Sequence, residues 1–488
     1  MRNNIEIYDV LRKLTKISTG EEITGINTLP LSGSSRHYYR IFTDNQTIIG
    51  VLNDNIEENE AFFTFTEHFY NIGLAVPKLL AVNEGRDIYL QEDLGDDNLF
   101  NHVKKCLDNG VFDDETINLY KDVLSHLVVF QIDGHKGLDY SVAMPTPCFD
   151  VESILEDLNY FKYCFLKIHS EIVFNEVRLN ADFKKLAMFL AEAPSDFFMY
   201  RDFQSRNIMI KGGKPFFIDY QGGRKGPLQY DVASLLYQVK ACLPQKLRDE
   251  LVRHYKMVLS ERFDMSSLNF DNYFQAFVVL RLMQVLGAYG FRGLLQKKAH
   301  FIESISYAVD ELTKQTEALK LPFETPELDS VFSQFYKLHD KYKKEEYNGL
   351  TVTISSFSFR DGGCPVDFSG NGGGFVFDCR ILPNPGRIDM FKSHTGLDKD
   401  VQEFIEKIPE AMDFFSHVKD MVTLGIDTYR TRGFNNLMIN FGCTGGQHRS
   451  VYFAQKTAEY LVGKYPDVKV VLRHLAQQKY HVFEPVIT

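Results

Sequence analysis

No pair of cysteines in this sequence has C-x-x-C spacing: the seven, at positions 106, 148, 164, 242, 364, 379 and 443, are odd in number and scattered. That argues against a disulfide framework and against a structural zinc site. No apolar run approaches the ~20 residues that span a bilayer. The N-terminal stretch MRNNIEIYDVLRKLTK starts an amphipathic helix with acidic residues and lacks the apolar core of a signal peptide. A cytoplasmic chain without membrane attachment is expected. Basic residues are in deficit, with Lys+Arg 54 against Asp+Glu 65 and a net charge of -11. From residue 349 onward 15 basic residues balance 15 acidic ones, so the acidity lies in the first 348. Neither part carries a basic stripe, which argues against nucleic acid as a partner. No G-x-x-x-x-G-K-[S/T] occurs, so a Walker-type phosphate loop is excluded.

What is present begins with size. At 488 residues, 44% hydrophobic and 24% charged, the chain has the composition of a soluble globular protein and should divide into two or three domains. Its most informative stretch runs Tyr200-Arg201-Asp202-Phe203-Gln204-Ser205-Arg206-Asn207-Ile208-Met209-Ile210, followed by Phe217-Ile218-Asp219-Tyr220. An Arg-Asp pair, four spacers, an Asn, two apolar strands around Gly212-Gly213 and a further Asp give the spacing of a kinase catalytic loop and metal-binding hairpin. An acceptor hydroxyl needs a carboxylate beside it, and a triphosphate needs Mg²⁺ held by hard oxygens. The spacing gives Asp202 the role of base, and Asn207 and Asp219 the role of holding Mg²⁺ for ATP.

Upstream, residues 5–17 read as a helix and 25–52 as strands around the turn Ser32-Gly33-Ser34-Ser35, placed to lay backbone N–H groups over phosphates. The third strand, Ile48-Ile49-Gly50-Val51-Leu52, has no lysine to pair with them. Arg36 or Arg40 is the expected substitute, with Glu60 of the following helix to steady it. The strand ending Gln91-Glu92-Asp93-Leu94 is where two lobes would join, its backbone meeting the adenine edge. Residues 96–190 show helical apolar stripes. Asp231 reads as a structural helix cap.

The segments SSRHYYRIF, VPKLLAV, YLQEDLGD, YRDFQSRNIMI, FIDYQGG and GPLQYDVASLLY run in order through residues 1–325. This part resembles the aminoglycoside phosphotransferase-type kinases, and within them the AmgK-like anomeric sugar kinases. The resemblance implies a bilobal α+β kinase-like fold, ATP and Mg²⁺ as cofactors, and N-acetylmuramic acid or N-acetylglucosamine as the sugar phosphorylated at C1 in cell-wall sugar recycling. Its nucleotide site would include Ser32, Gly33, Ser34, Ser35, Arg40, Glu92 and Leu94. Tyr200 stands where such kinases usually carry His.

Residues 326–348 read as a charged linker opening into a short solvated helix, and 349–488 as a smaller α/β domain. The strand Leu437–Phe441 enters Gly442-Cys443-Thr444-Gly445-Gly446-Gln447-His448-Arg449-Ser450 and continues as a helix, an arrangement that points free N–H groups at an anion. Cys443 and Arg449 also fit the C-x5-R-[S/T] pattern of cysteine phosphatases. The segments FDCRILPNP, TGLDK and GCTGGQHRSVYFA resemble the RapZ C-terminal domain. That likeness implies an amino-sugar-phosphate pocket lined by Asp378, Arg380, Cys443, Thr444, Gly445, Gly446, His448 and Arg449, and it allows oligomerisation through this domain. Gln447 stands where the family has Lys, Gly386 where it has His, and the tail YHVFEPVIT is not basic. The combined expectation is a sugar kinase fused to a glucosamine-6-phosphate sensor; the alternatives are a regulatory adaptor and a phosphatase acting through Cys443.

Overall fold

The computed structural model describes residues 4–29, 36–342, 349–360, 363–365 and 374–486. The chain divides into two units, Met1–Gly290 with Ser304–Lys341, and Phe291–Glu303 with Tyr342–Thr488.

Unit 1 opens with helix α1 (Asn4–Thr19) and strands β1 (Gly25–Thr28), β2 (His37–Phe42) and β3 (Thr47–Leu52). Helix α2 (Ile56–Asn71) and strands β4 (Leu79–Val82) and β5 (Ile88–Glu92) complete a small lobe. The sheet is antiparallel, in the order β1-β2-β3-β5-β4. One face takes α1 through Ile7, Leu11 and Leu14, packed against Tyr39, Ile41, Ile48, Ile88 and Leu90. Gly50 permits that approach, because a Cβ there would lie 2.7 Å from Leu11 Cδ2. The aromatic face of α2 meets the sheet and the second lobe: Phe62 lies over Tyr89 with ring centroids 5.1 Å apart and stacks on Tyr220 at 5.6 Å.

The second lobe is built from α3 (Leu99–Asn109), α4 (Asp114–Ile132), α5 (Val151–Cys164) and α6 (Glu176–Ala191). Short strands β6 (Phe197–Met199), β7 (Ile208–Lys211), β8 (Lys214–Phe217) and β9 (Arg224–Gly226) carry the catalytic-loop sequence. Helices α7 (Leu228–Leu236), α8 (Gln245–Ser260) and α9 (Phe270–Tyr289) follow. The apolar stripe of α4 is buried, as its period predicts. The stretch Phe270–Leu295 is long and apolar enough to cross a membrane, contrary to the reading of short apolar runs, yet most of it is buried within the protein. Its first part, α9, is the central helix of this lobe, with α5, α7 and α11 (Ile305–Glu317) packed around it; the short helix α10 (Ala299–Ile302), which precedes α11 in the chain, belongs to unit 2.

The expected linker is corrected in its first half. Residues 326–342 form α12 (Pro326–Ser333) and α13 (Tyr336–Tyr342), with Leu328, Val331, Phe335 and Leu338 buried. The Asp182 carboxylate on α6 caps α12, accepting from the N–H groups of Glu327 at 2.8 Å and Leu328 at 3.1 Å. Charge and proline content concealed a four-residue apolar stripe with helical spacing. Residues 343–348 of the linker lie outside the described residues.

Unit 2 contains β10 (Thr351–Ser358), β11 (Gly374–Asp378), α14 (Lys399–Glu406), α15 (Pro409–Thr431), β12 (Asn436–Cys443), α16 (Arg449–Lys464), β13 (Lys469–His474) and β14 (Lys479–Phe483). The sheet order is β11-β12-β10-β13-β14, parallel except for β14. The central strands are buried on both faces: Val352, Ile354 and Phe357 of β10 and Leu437, Ile439 and Phe441 of β12 are buried, and so are the polar Ser355, Ser356 and Asn440 between them. The chain passes from β10 over β12 to β11, and later from β12 over β10 to β13. The sheet therefore reverses direction between β10 and β12, and their carboxyl ends open the crevice where such folds bind ligands.

Because Leu328 is fully buried, Leu328→Ala should cost ~2–5 kcal/mol of unfolding free energy, read by urea denaturation of the full chain. A change within ~0.5 kcal/mol, as at a solvated position, would return residues 326–342 to the status of a linker.

Candidate functional sites

The catalytic loop hangs between β6 and β7 and is anchored from below. Asp231, fully buried on α7, accepts backbone N–H bonds from Tyr200 at 2.7 Å and Arg201 at 3.0 Å. It is therefore no ordinary helix cap: its carboxylate holds the loop and leaves the helix end alone. Burial pushes its pKa up to about 7, against the two N–H bonds and the Gln131 amide, which pull the other way. Arg201 has φ 78, a left-handed conformation that a non-glycine residue adopts at a cost. Its guanidinium pairs with Asp157 at 2.6 and 2.8 Å and donates to the Tyr230 hydroxyl at 2.7 Å. Arg201 thus faces inward, and the next side chain, Asp202, faces out with 52% of its surface exposed.

Asn207 ties the three expected residues together. Its Nδ2 donates to the Asp202 carbonyl at 2.9 Å and to Asp219 Oδ2 at 3.2 Å. Asp219, also at positive φ, takes Gln221 Nε2 on Oδ1 at 2.7 Å. Tyr200, in the position expected for His, donates its hydroxyl to the Ile218 carbonyl at 2.6 Å, bridging the catalytic loop to the hairpin that carries Asp219. Among the described residues there is no group of three His, Cys, Asp or Glu side chains fit for a metal. An amide oxygen beside one carboxylate nevertheless suits Mg²⁺, which takes one or two protein oxygens and completes its shell with water and phosphate.

The proposed nucleotide residues are placed unevenly. Ser32, Gly33, Ser34 and Ser35 lie outside the described residues. Arg40 is bound by Asp93 at 2.8 Å and Asp96 at 2.9 Å, with Gly95 O as a further acceptor. Glu92 accepts from Lys211 Nζ at 2.7 Å, and Leu94 is buried. Arg36 reaches Asp219 at 3.4 Å and is held by Glu58 at 2.5 Å. The expected role of Glu60 is corrected: Glu60 pairs with Arg86. Sequence reasoning also missed Arg281, whose Nη2 lies 3.5 Å from Asp202 Oδ1, and Asp157. The signal for Asp157 was available, since it interrupts the apolar face of Ile154, Leu158 and Phe161.

In unit 2 the loop between β12 and α16 borders a cavity of about 220 Å³ lined by Arg360, Asn384, Gly386, Lys392, Cys443, Thr444, Gly445, Gln447, His448 and Arg449. Asp378 and Arg380 lie outside that lining; they pair at 2.6 Å, with Arg380 stacked over Phe359. Gly446 lies outside it too. At φ 66, with space for a Cβ blocked 3.0 Å away by Ser358 N, this glycine lets the loop press against the end of β10.

The charged residues of the loop are largely spent on structure. Arg449, buried, donates to Leu382 O at 2.6 Å, and His448 Nε2 donates to Phe391 O at 2.8 Å. Gln447 Nε2 donates to the Lys392 and His394 carbonyls at 3.0 and 2.7 Å. Cys443 Sγ lies 3.1 Å from Ser450 Oγ. Burial pushes the thiol pKa up, but the Ser450 hydroxyl and N–H, the Arg449 charge and the Gly446 N–H together outweigh it and leave it below the ordinary value.

Comparison with known proteins now fits onto this geometry. Residues 169–270 match the family described as phosphotransferase enzyme family, and 350–477 match the RapZ C-terminal domain. The chain joins a phosphotransferase-family segment to a RapZ C-terminal domain. A nucleotide-binding protein of Agathobacter rectalis is 34% identical over 168 residues, 34% of this chain and 51% of that protein. One of Fervidobacterium nodosum is 31% identical over 198 residues, 37% of this chain and 66% of that protein. The chain spans between half and two thirds of these two relatives. Among solved structures, Plasmodium vivax ethanolamine kinase gives a TM-score of 0.45 at 14% identity, covering 68% of this chain and 91% of that one. Amicoumacin kinase hAmiN in complex with AMP-PNP, Ca²⁺ and Ami gives 0.45 at 12%, covering 67% and 100%. Asp202, Asn207, Asp219 and Asp231 fall inside the phosphotransferase segment. Arg36, Glu58 and Arg281 fall outside it. The whole β12 to α16 loop belongs to the RapZ C-terminal domain.

Tyr200→Phe leaves the Ile218 carbonyl without its hydroxyl donor. The expected loss is ~1–3 kcal/mol of stability, measured by urea denaturation, and a wild-type denaturation curve would show that the bond does not hold the two loops together.

Proposed function

We propose that unit 1 is an ATP- and Mg²⁺-dependent kinase that phosphorylates the anomeric hydroxyl of an N-acetylated amino sugar, N-acetylmuramic acid or N-acetylglucosamine, in cytoplasmic cell-wall sugar recycling. The observation that carries this reading is the convergence of Asp202, Asn207 and Asp219 through the Asn207 amide. Asp202 has an exposed carboxylate on an anchored loop, so it can accept the proton of a sugar hydroxyl while orienting that oxygen for in-line attack. The anomeric hydroxyl is the most acidic of a free sugar, and a carboxylate suffices as its base. Asn207 and Asp219 would hold Mg²⁺, which supplies charge neutralisation to the phosphates. The matched phosphotransferase family supports the reaction class; the AmgK-like motifs favour the sugar acceptor.

The RapZ C-terminal domain would sense an amino-sugar phosphate such as glucosamine-6-phosphate in the cavity beside Cys443, Thr444, Gly445, His448 and Arg449. Helix α16 directs its N-terminal N–H groups there, and Arg360 and Lys392 add positive charge at the rim. A second reading, phosphate ester hydrolysis through Cys443, is favoured by the lowered thiol pKa and the Ser450 contact. Against it, Arg449 is bound to a backbone carbonyl. A non-catalytic adaptor is a third reading, and the complete Asp-Asn-Asp set counts against it.

The test is ADP release from MgATP against a panel of free sugars. Turnover on an N-acetylated amino sugar, giving an acid-labile C1 phosphate and falling at least ~100-fold in Asp202→Asn, is expected. Absence of turnover on every sugar, with aryl phosphate hydrolysis that vanishes in Cys443→Ser, would replace this reading with the second.

A further inference from the structure

Strand β3 has no lysine, and its register shows which of its residues share a face with α2. Val51 lies between Tyr38 on β2 and Tyr89 on β5, and Phe62 of α2 packs against Tyr89. This is the sheet face that looks toward α2 and Asp219, and Val51 is fully buried on it. The charge missing from that face comes from one strand away. Arg36 precedes Tyr38 by two residues, so it returns to the same side of the sheet, and it is only 5% exposed.

We propose that Arg36, clamped by Glu58, is the cation that grips the nucleotide phosphates in place of a β3 lysine; the proposal rests on the kinase reading of unit 1. The guanidinium is firmly held at one end and weakly used at the other. Nη2 meets Glu58 at 2.5 Å, whereas among the described residues Nη1 makes only long contacts, 3.4 Å to Asp219 and 3.5 Å to the Tyr38 hydroxyl. Among the described residues Nε has no hydrogen-bond partner. A buried charge with unmet donors is costly, and the loosely bound end lies beside the carboxylate assigned to the metal. A phosphate approaching Asp219 would enter the reach of Nη1 and complete its bonding. Arg40, the other candidate, also has a poorly aligned Nε, but each of its guanidinium nitrogens already lies within 2.9 Å of a carboxylate oxygen, Nε beside Asp93 and both Nη beside Asp96. Glu58 plays the part of a fixed post: it sits in the first turn of α2, where a carboxylate is also favoured by the helix end.

The experiment measures binding of MgATP, MgADP and adenosine to the full chain by calorimetry. Arg36→Met alone strands Glu58, so it is paired with Arg36→Met/Glu58→Gln, and Arg36→Lys serves as the conservative variant; melting curves without ligand confirm folding. Loss of phosphate contact predicts that MgATP affinity falls about 10- to 100-fold, while adenosine affinity holds and Arg36→Lys recovers part of the loss. Unchanged MgATP binding in the double variant, or an equal loss for MgATP and adenosine, overturns the assignment and leaves Arg36 a structural ion pair. If the wild-type chain binds no adenosine phosphate, the kinase reading itself falls, and the role of Arg36 falls with it.

Discussion

A single buried carboxylate holds the catalytic loop in place. Asp231 has no surface exposure and spends its oxygens on the N–H groups of Tyr200 and Arg201. Two backbone donors fixed to one rigid helix leave the intervening peptide little freedom. That constraint explains how Arg201 tolerates φ 78: its strain is offset by the Asp231 bonds on one side and the Asp157 pair on the other. With Arg201 locked inward, Asp202 must project outward. The exposure of the candidate base is a consequence of what its neighbour buries.

The same logic carries across to Asn207 and Asp219. The Tyr200 hydroxyl fixes the Ile218 carbonyl, and the Ile218 N–H in turn donates to Asn207 O at 3.1 Å. Loop and hairpin are therefore tied at two points, and the spacing of the backbones that carry the candidate base and the candidate metal ligands is set by one side-chain and one backbone hydrogen bond. Preorganisation of this kind is what positioning catalysis requires.

Much of this was legible in the sequence because the chemistry is local there. Asp202, Asn207 and Asp219 lie within eighteen residues and are recognisable by spacing. The β12 loop is legible for the same reason, as strand, glycines and helix follow directly. What was not legible depends on long reach. Glu58 meets Arg36 and Arg281 approaches Asp202 across gaps in sequence that no spacing rule spans. The burial of helices α12 and α13 was hidden by their proline and charge content, although four apolar residues and a distant capping carboxylate decide it. Glu60 is the residue the sequence suggests, whereas Glu58 meets Arg36, and on a helix those two positions point about 200° apart.

The two units solve opposite electrostatic problems with similar scaffolding. In unit 1 the loop converges oxygens: Asp202, Asp219 and the Asn207 amide gather together, with the buried Arg281 and Arg36 beside the two carboxylates. In the RapZ C-terminal domain the loop converges donors, with helix N–H groups, Arg360 and Lys392 facing the cavity. There the loop is braced by bonds from Gln447, His448 and Arg449 to backbone carbonyls. A neutral Gln447 makes two of these bonds with its own amide, so the loop loses a charge without losing its brace. Gly386 then leaves open the space next to His448, where a Cβ would come within 3.4 Å of Nδ1. Nε2 carries the proton it donates to Phe391 O, so Nδ1 is the ring nitrogen left toward that space.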